Sequence, residues 1–237
     1  MNLHKIISTQ LDPELGENLE RFVQENLPEF KQVFSEHPLK GPRRGCVSLG
    51  EAFWLFHIAR AIQPEVIIES GNWEGYSLYF LWRAVPQAKL YAFDPLRKPE
   101  INLAGVEYHA YDWTKHKFMD LPGERTLVFF DDHMHQGKRL QQALARGVRH
   151  VLFHDNYRTP YQSPVPIRYC NLLGMAKTYY IFDRLRSDPF FCSTEHNPQA
   201  YRWLTYLDLE TNLSWLQRLT YRLFYKLPMA HNPYERY

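Results

Sequence analysis

Short apolar runs that close on acidic or amide residues recur along this 237-residue chain, separated by stretches of helical spacing. Val66-Ile67-Ile68 closes on Glu69, and Ala88-Lys89-Leu90-Tyr91-Ala92-Phe93 closes on Asp94. Thr126-Leu127-Val128-Phe129-Phe130 closes on Asp131-Asp132, and the run from Val148 to His154 closes on Asp155-Asn156. Runs this short, rich in β-branched and aromatic residues, predict strands buried on both faces. Further strands are predicted at 105–110 and 201–207, with helices near 75–85 and 135–146. The alternation predicts an α/β fold built on a Rossmann-like, doubly wound, mostly parallel sheet.

The flanks read differently. Residues 14–36 place Leu19, Phe22, Val23, Leu27 and Phe30 on one helical face, which predicts an N-terminal helix. Ser48-Leu49-Gly50-Glu51 has the form of a capping box and predicts a helix running toward Gln63. After Tyr157 a proline-rich loop spans 159–166, helical sequence continues to about Arg186, and aromatic and basic residues alternate at helical spacing from Trp215 to Leu227. The resulting division is an N-terminal helical extension at 1–47, an α/β domain at 48–210, and a C-terminal helix and tail at 211–237.

Between the first predicted strand and its helix lies Glu69-Ser70-Gly71-Asn72-Trp73-Glu74-Gly75-Tyr76-Ser77. Two glycines four apart permit backbone conformations and a close ligand approach that side chains would obstruct, and the helix start directs N–H groups at what is bound. Asp94 follows Glu69 by 25 residues, the spacing of a βαβ unit with a ribose-binding acid at its second strand end. The loop is similar to the E-x-G-x-x-x-G-x-S loop of the class I S-adenosylmethionine-dependent methyltransferases, over roughly residues 48–160. A dinucleotide fingerprint would need glycine at position 69, where Glu69 stands. The resemblance implies the seven-stranded methyltransferase sheet and S-adenosylmethionine as cofactor. It assigns Glu69, Gly71, Gly75, Tyr76, Ser77, Asp94 and Asp131 to cofactor binding. Asp112 and Trp113 are further candidates, for hydrogen bonding and stacking on adenine.

Asp131, Asp132, Asp155 and Asn156 would form an all-oxygen set suited to Mg²⁺ or another divalent cation. This pattern resembles the metal-dependent O-methyltransferases, in which such a metal lowers the pKa of the acceptor hydroxyl. Their lysine base, three residues after the fourth-strand Asp, falls on Met134 when counted from Asp131 and on His135 when counted from Asp132. Either aspartate remains a candidate ligand, either His133 or His135 a candidate base, and His133 a candidate nitrogen ligand. His154 reads as an interior histidine.

Charge adds little direction: 28 basic against 26 acidic residues leave +2, so no nucleic-acid partner is expected. Cys46, Cys170 and Cys192 are widely spaced, which indicates neither a disulfide framework nor a thiolate metal site. With no signal-like start and no apolar run near ~20 residues, a cytoplasmic location without membrane contact is expected. A homodimer through the N-terminal helix stays open. The expected activity is methyl transfer to a hydroxyl oxygen of a small molecule. The alternatives are a metal-dependent oxygenase or hydroxylase on the same scaffold, and a non-catalytic cofactor-binding protein.

Overall fold

The computed structural model describes residues 16–40, 46–96, 98–134, 136–154, 176–182, 189–192 and 203–209. Helix α1 spans Gly16–Ser35 and α2 spans Leu49–Ile62. They are followed by β1 (Val66–Ser70), α3 (Tyr76–Ala84), β2 (Lys89–Phe93), β3 (Val106–His109), β4 (Thr126–Phe130), α4 (Gln136–Ala145) and β5 (His150–Phe153). The described chain ends with β6 (Ala176–Phe182), the single turn α5 (Pro189–Cys192) and β7 (Trp203–Leu209). The sheet order is β3-β2-β1-β4-β5-β7-β6. β1 to β5 are parallel, and β7 runs antiparallel to both of its neighbours.

Period-two alternation divides the strands between two cores. Ile67, Leu90, Ala92, Leu127, Phe129 and Leu152 face α1, α2 and α3. Val66, Ile68, Tyr91, Phe93, Val128, Phe130, Val151 and Phe153 face the opposite side, where Leu140 and Ala143 of α4 cover them. α2 starts as its sequence predicts: the Ser48 hydroxyl accepts the Glu51 N–H at 3.2 Å, and the Glu51 carboxylate accepts the Ser48 N–H at 2.8 Å. It stops at Gln63, whose φ of 50° is left-handed, just before Pro64. Val23, Leu27 and Phe30 of α1 are buried, and Phe22 stacks on Trp54 with centroids 5.7 Å apart. Among the described residues no helix is long and apolar enough to cross a membrane.

One element differs in kind from its sequence reading. The stretch up to Arg186, expected to be helical, contains strand β6, whose seven residues pair with β7 from Ala176↔Leu209 to Phe182↔Trp203. Thr178, Tyr179, Tyr180 and Ile181 are β-branched or aromatic, and a partner strand lets such residues override a weak helical pattern. The proline-rich loop and the predicted C-terminal helix lie outside the described residues.

Candidate functional site

Strand register assembles the site. Ser70, Phe93 and Phe130 lie in one row across the sheet, extended by Phe93↔His109 and Phe130↔Phe153. The next residue on each strand, Gly71, Asp94, Ala110, Asp131 and His154, therefore emerges at the same C-terminal edge. Backbone bonds carry the ladder one step further: Gly71 N–H to Phe93 O, Asp94 N–H to His109 O, Asp131 N–H to Ser70 O, and His154 N–H to Phe130 O. Such an edge is where open α/β sheets bind ligands.

Glu69 is fully buried. Its Oε1 accepts the Ser77 hydroxyl at 2.5 Å, and its Oε2 has no partner among the described residues. Burial holds its carboxyl up at about 8; the Ser77 bond opposes this, and the negative charges of Asp131 and Asp94 add to it. Gly71 and Gly75 both have φ near +90° (89° and 87°). A Cβ on Gly71 would lie 2.5 Å from the Asp131 carbonyl oxygen and 2.6 Å from the Asp132 Cα. The obstruction expected from a side chain at Gly71 is thus with the chain's own β4 backbone, whatever a ligand adds. Gly75 caps α3, and a Cβ there would lie 2.7 Å from the Ile101 side chain. Asp94 uses both oxygens to hold the surrounding loops, accepting the Trp73 N–H at 2.9 Å and the Leu96 N–H at 2.8 Å.

Two residues expected to contact the cofactor, Tyr76 and Trp113, have their side chains in the interior. Tyr76 is 1% exposed and packs against His37 and Phe80, so its side chain belongs to the core and only its backbone lies at the helix start. Trp113 is wholly buried, with Phe130 edge-on at 5.5 Å and the Arg146 guanidinium 4.5 Å above its ring. It has no open face for adenine. Asp112 accepts both the N–H (2.9 Å) and the hydroxyl (2.5 Å) of Thr114 and pairs with Arg139 at 2.5 Å. Burial pushes its carboxyl up, but the Arg139 and Thr114 bonds outweigh that and hold it down at about 2.

Asp131 and Asp132, being adjacent, turn to opposite faces. Asp131 meets Nδ1 of His154, whose Nε2 lies 3.3 Å from a Glu51 oxygen at the start of α2. The side chains of all three are at most 6% exposed, so the interior His154 sits between two carboxylates, in contact with Asp131 and within ion-pair distance of Glu51. Asp132 Oδ2 accepts the Ser70 hydroxyl at 2.6 Å and lies 2.7 Å from Arg139, while Oδ1 accepts the Met134 N–H at 3.1 Å. His133 is exposed with φ of 53°, its ring 6.3 Å from that of His154. His135, Asp155 and Asn156 lie outside the described residues. Among the described residues no group of three His, Cys, Asp or Glu converges as a metal site. Asp132 is committed to Arg139 and Asp131 to the other face, so the two do not fit one shared divalent cation.

Sequence reasoning missed Arg139 and Glu51 as parts of this edge. Arg139 left one trace: it lies on the α4 stripe of Gln136, Leu140 and Ala143, all buried, where an unpaired charge is costly.

A cleft of about 330 Å³ opens beside the glycine loop, lined by Asn72, Lys98, Pro99, Asn102, Tyr108, His109 and Ala110. The buried Asn72 Oδ1 has no partner among the described residues. Together with Glu69 Oε2, which accepts once the carboxyl ionises, it leaves two buried oxygens near the loop. A cofactor carrying ammonium and hydroxyl donors fits that chemistry.

The fold is like that of solved O-methyltransferases. Two solved structures illustrate the likeness. The Streptomyces achromogenes O-methyltransferase TomG, involved in tomaymycin synthesis and bound to S-adenosylmethionine, aligns over 88% of this chain and 99% of its own, with TM-score 0.50 and 17% identity. An O-methyltransferase from Bacillus cereus in complex with S-adenosylhomocysteine aligns over 81% and 97%, with TM-score 0.51 and 14% identity. No protein-family model matches the sequence, and no curated protein matches it.

Proposed function

We propose that this chain binds S-adenosylmethionine at the C-terminal edge of β1, β2 and β4 and directs its methyl group to a hydroxyl oxygen of a small molecule. One observation carries the reading: a single row of strand register brings the glycine loop, Asp94 and Asp131 to one edge, next to the buried, half-satisfied Glu69. When bound, the cofactor supplies a methyl group on a positively charged sulfur, which an acceptor oxygen displaces in line.

The residues in this reading divide the work. Asp94 fixes the two loops that flank the ribose position and offers its remaining lone pairs to the ribose hydroxyls. Glu69 and Asn72 accept from the cofactor's donors, and the N–H groups at the start of α3 face its carboxylate. Acids near the sulfonium favour binding of the charged cofactor over its neutral product. His133, exposed beyond β4, takes the acceptor's proton as the O–CH₃ bond forms and the S–CH₃ bond breaks. The two neighbours that the fold resembles are O-methyltransferases by name, which supports oxygen as the acceptor atom.

Calorimetric titration of the full chain with S-adenosylmethionine and S-adenosylhomocysteine, with NAD⁺ as control, tests the reading. Binding of the sulfur pair at roughly micromolar Kd, without NAD⁺ binding, is the expected result. Absence of binding to either would remove it.

A further inference from the structure

Arg139 is the centre of an ion cluster on the α4 side of the site edge. Its side chain is 5% exposed, and one terminal nitrogen lies 2.5 Å from Asp112 Oδ2 and 2.7 Å from Asp132 Oδ2. The other lies 3.3 Å from Asp112 Oδ1 and 2.9 Å from Gln142, and the guanidinium sits 5.9 Å from the Phe130 ring centroid. Through Asp112, Asp132 and the Ser70 hydroxyl bound to Asp132, this one cation ties together segments that follow β3, end β1 and follow β4. Asp112, well below the usual carboxylate range, remains ionised.

We propose that Arg139 is the built-in counter-cation of this edge, occupying at Asp132 the place a divalent metal would need, so that Asp132 is not a metal ligand. A metal approaching Asp132 has to break a desolvated ion pair and bring a second cation against the buried Arg139, which would keep only Asp112 as its anion, and this is strongly unfavourable. Nor can Asp131 make up the coordination with it, because neighbouring strand-end residues point to opposite faces and the Asp131 carboxylate is turned to His154. A hard divalent ion takes about six ligands and tolerates no competing guanidinium among them. The fork of Arg139 is suited to holding two carboxylates at fixed separation, which makes it a positioning residue for the strand ends. The inference deepens the methyl-transfer reading, since it concerns how the same edge is held and charged.

The test is a Mn²⁺ titration of the full chain, with the free ion followed by electron paramagnetic resonance, with and without S-adenosylhomocysteine. Wild-type protein should show no site tighter than about 1 mM that depends on Asp132, so Asp132→Asn should leave its titration unchanged. Arg139→Gln, which uncovers both carboxylates, should tighten Mn²⁺ binding by roughly ten-fold or more, and adding Asp132→Asn should remove that gain. Arg139→Lys, which keeps the charge, should still exclude the ion. A wild-type site below about 1 mM that Asp132→Asn weakens would overturn the proposal, as would folded Arg139→Gln protein with no gain. If Arg139→Gln does not fold, the wild-type and Asp132→Asn comparison decides alone. Calorimetry of S-adenosylhomocysteine on the same samples reads the methyl-transfer proposal separately, because the Mn²⁺ result does not depend on it.

Discussion

Replacing Gly71 by alanine isolates how tightly the loop is pressed against β4. The added Cβ would fall 2.5 Å from the Asp131 carbonyl oxygen, 2.6 Å from its carbonyl carbon and 2.6 Å from the Asp132 Cα. These are backbone atoms held by the ladder bond from Asp131 N–H to Ser70 O, so neither side can step aside as the tip of a flexible chain would. Two costs add. Holding a residue with a Cβ at the φ of 89° seen for Gly71 costs about 1–2 kcal/mol. Relieving the overlap by a backbone shift costs about 1–3 kcal/mol more, for a sum of about 2–5 kcal/mol. At ~2–4 °C per kcal/mol for a chain of this size, the melting temperature should fall by roughly 4–20 °C. Gly105 supplies the control: its φ is +79°, but a Cβ there meets nothing within 4 Å, so Gly105→Ala should pay only the conformational part, about 1–2 kcal/mol. Urea denaturation of both variants without any ligand measures the difference. Equal midpoints for Gly71→Ala and Gly105→Ala would refute the contact, and the glycine would then have to be explained by what binds over it.

Asp94→Ala removes the acceptor for both the Trp73 and Leu96 N–H groups. Calorimetry should show S-adenosylhomocysteine binding weakened about 10- to 100-fold, as expected for lost hydrogen bonds to a charged group; unchanged affinity would detach Asp94 from the cofactor. Glu69 has its carboxyl raised from 4.5 to about 8, so its protonated form is the one the fold favours. Its contribution is complete below the unfolded value and is lost as pH rises through about 8. The always-neutral Glu69→Gln should therefore gain on wild type between roughly pH 5 and pH 9, by as much as a few kcal/mol in urea denaturation without ligand, and parallel pH curves would contradict this. His57 is 1% exposed, has no partner for either ring nitrogen among the described residues, and lies amid Phe22, Phe30, Phe53 and Phe56. Burial, helped by Arg60, lowers its pKa from 6.5 to about 3, so stability is present above 6.5 and lost as pH falls toward 3. His57→Phe should flatten that acid limb and add about 1–3 kcal/mol at neutral pH, whereas a variant less stable at every pH would show that the ring is needed.

Four of the five parallel strands, β1, β2, β4 and β5, were legible as short runs largely buried on both faces, whereas the partly exposed edge strand β3 was placed by the alternation; the predicted limits of all five fall within a residue or two of those found. β6 was not, because its seven residues become a strand through β7, some twenty residues later. The acids of the edge were legible too: Glu69, Asp94 and Asp131 each stand where a buried run stops. Their partners were not. The Asp131–His154 contact spans 23 residues, and the Asp112–Arg139 pair spans 27. Glu51 was visible as a helix cap, yet nothing in the capping box signals that its other oxygen lies near a histidine 103 residues away (154 minus 51).

One part of the missing information was present in the pair Asp131-Asp132 itself. A strand sends consecutive side chains to opposite faces, so two adjacent strand-end acids are separated by the sheet before any partner is considered. Each then takes its partner from whatever packs on its own side. On the face of α2 and α3 that partner is His154, backed by Glu51; on the face of α4 it is Arg139, shared with Asp112. Glu69 stands on the same face as Asp131, and Asp131 helps keep its carboxyl high, whereas Asp132 is neutralised by Arg139 on the far side. The face that binds a cationic cofactor in the proposed reading thus holds its acids with titratable or neutral partners, His154 for Asp131 and Ser77 for Glu69, and the other has its charge closed by an ion pair with Arg139. Counting carboxylates at the edge suggests a metal site; assigning each to its face leaves one acid on the side of α2 against His154 and one on the side of α4 that holds the strands together through Arg139.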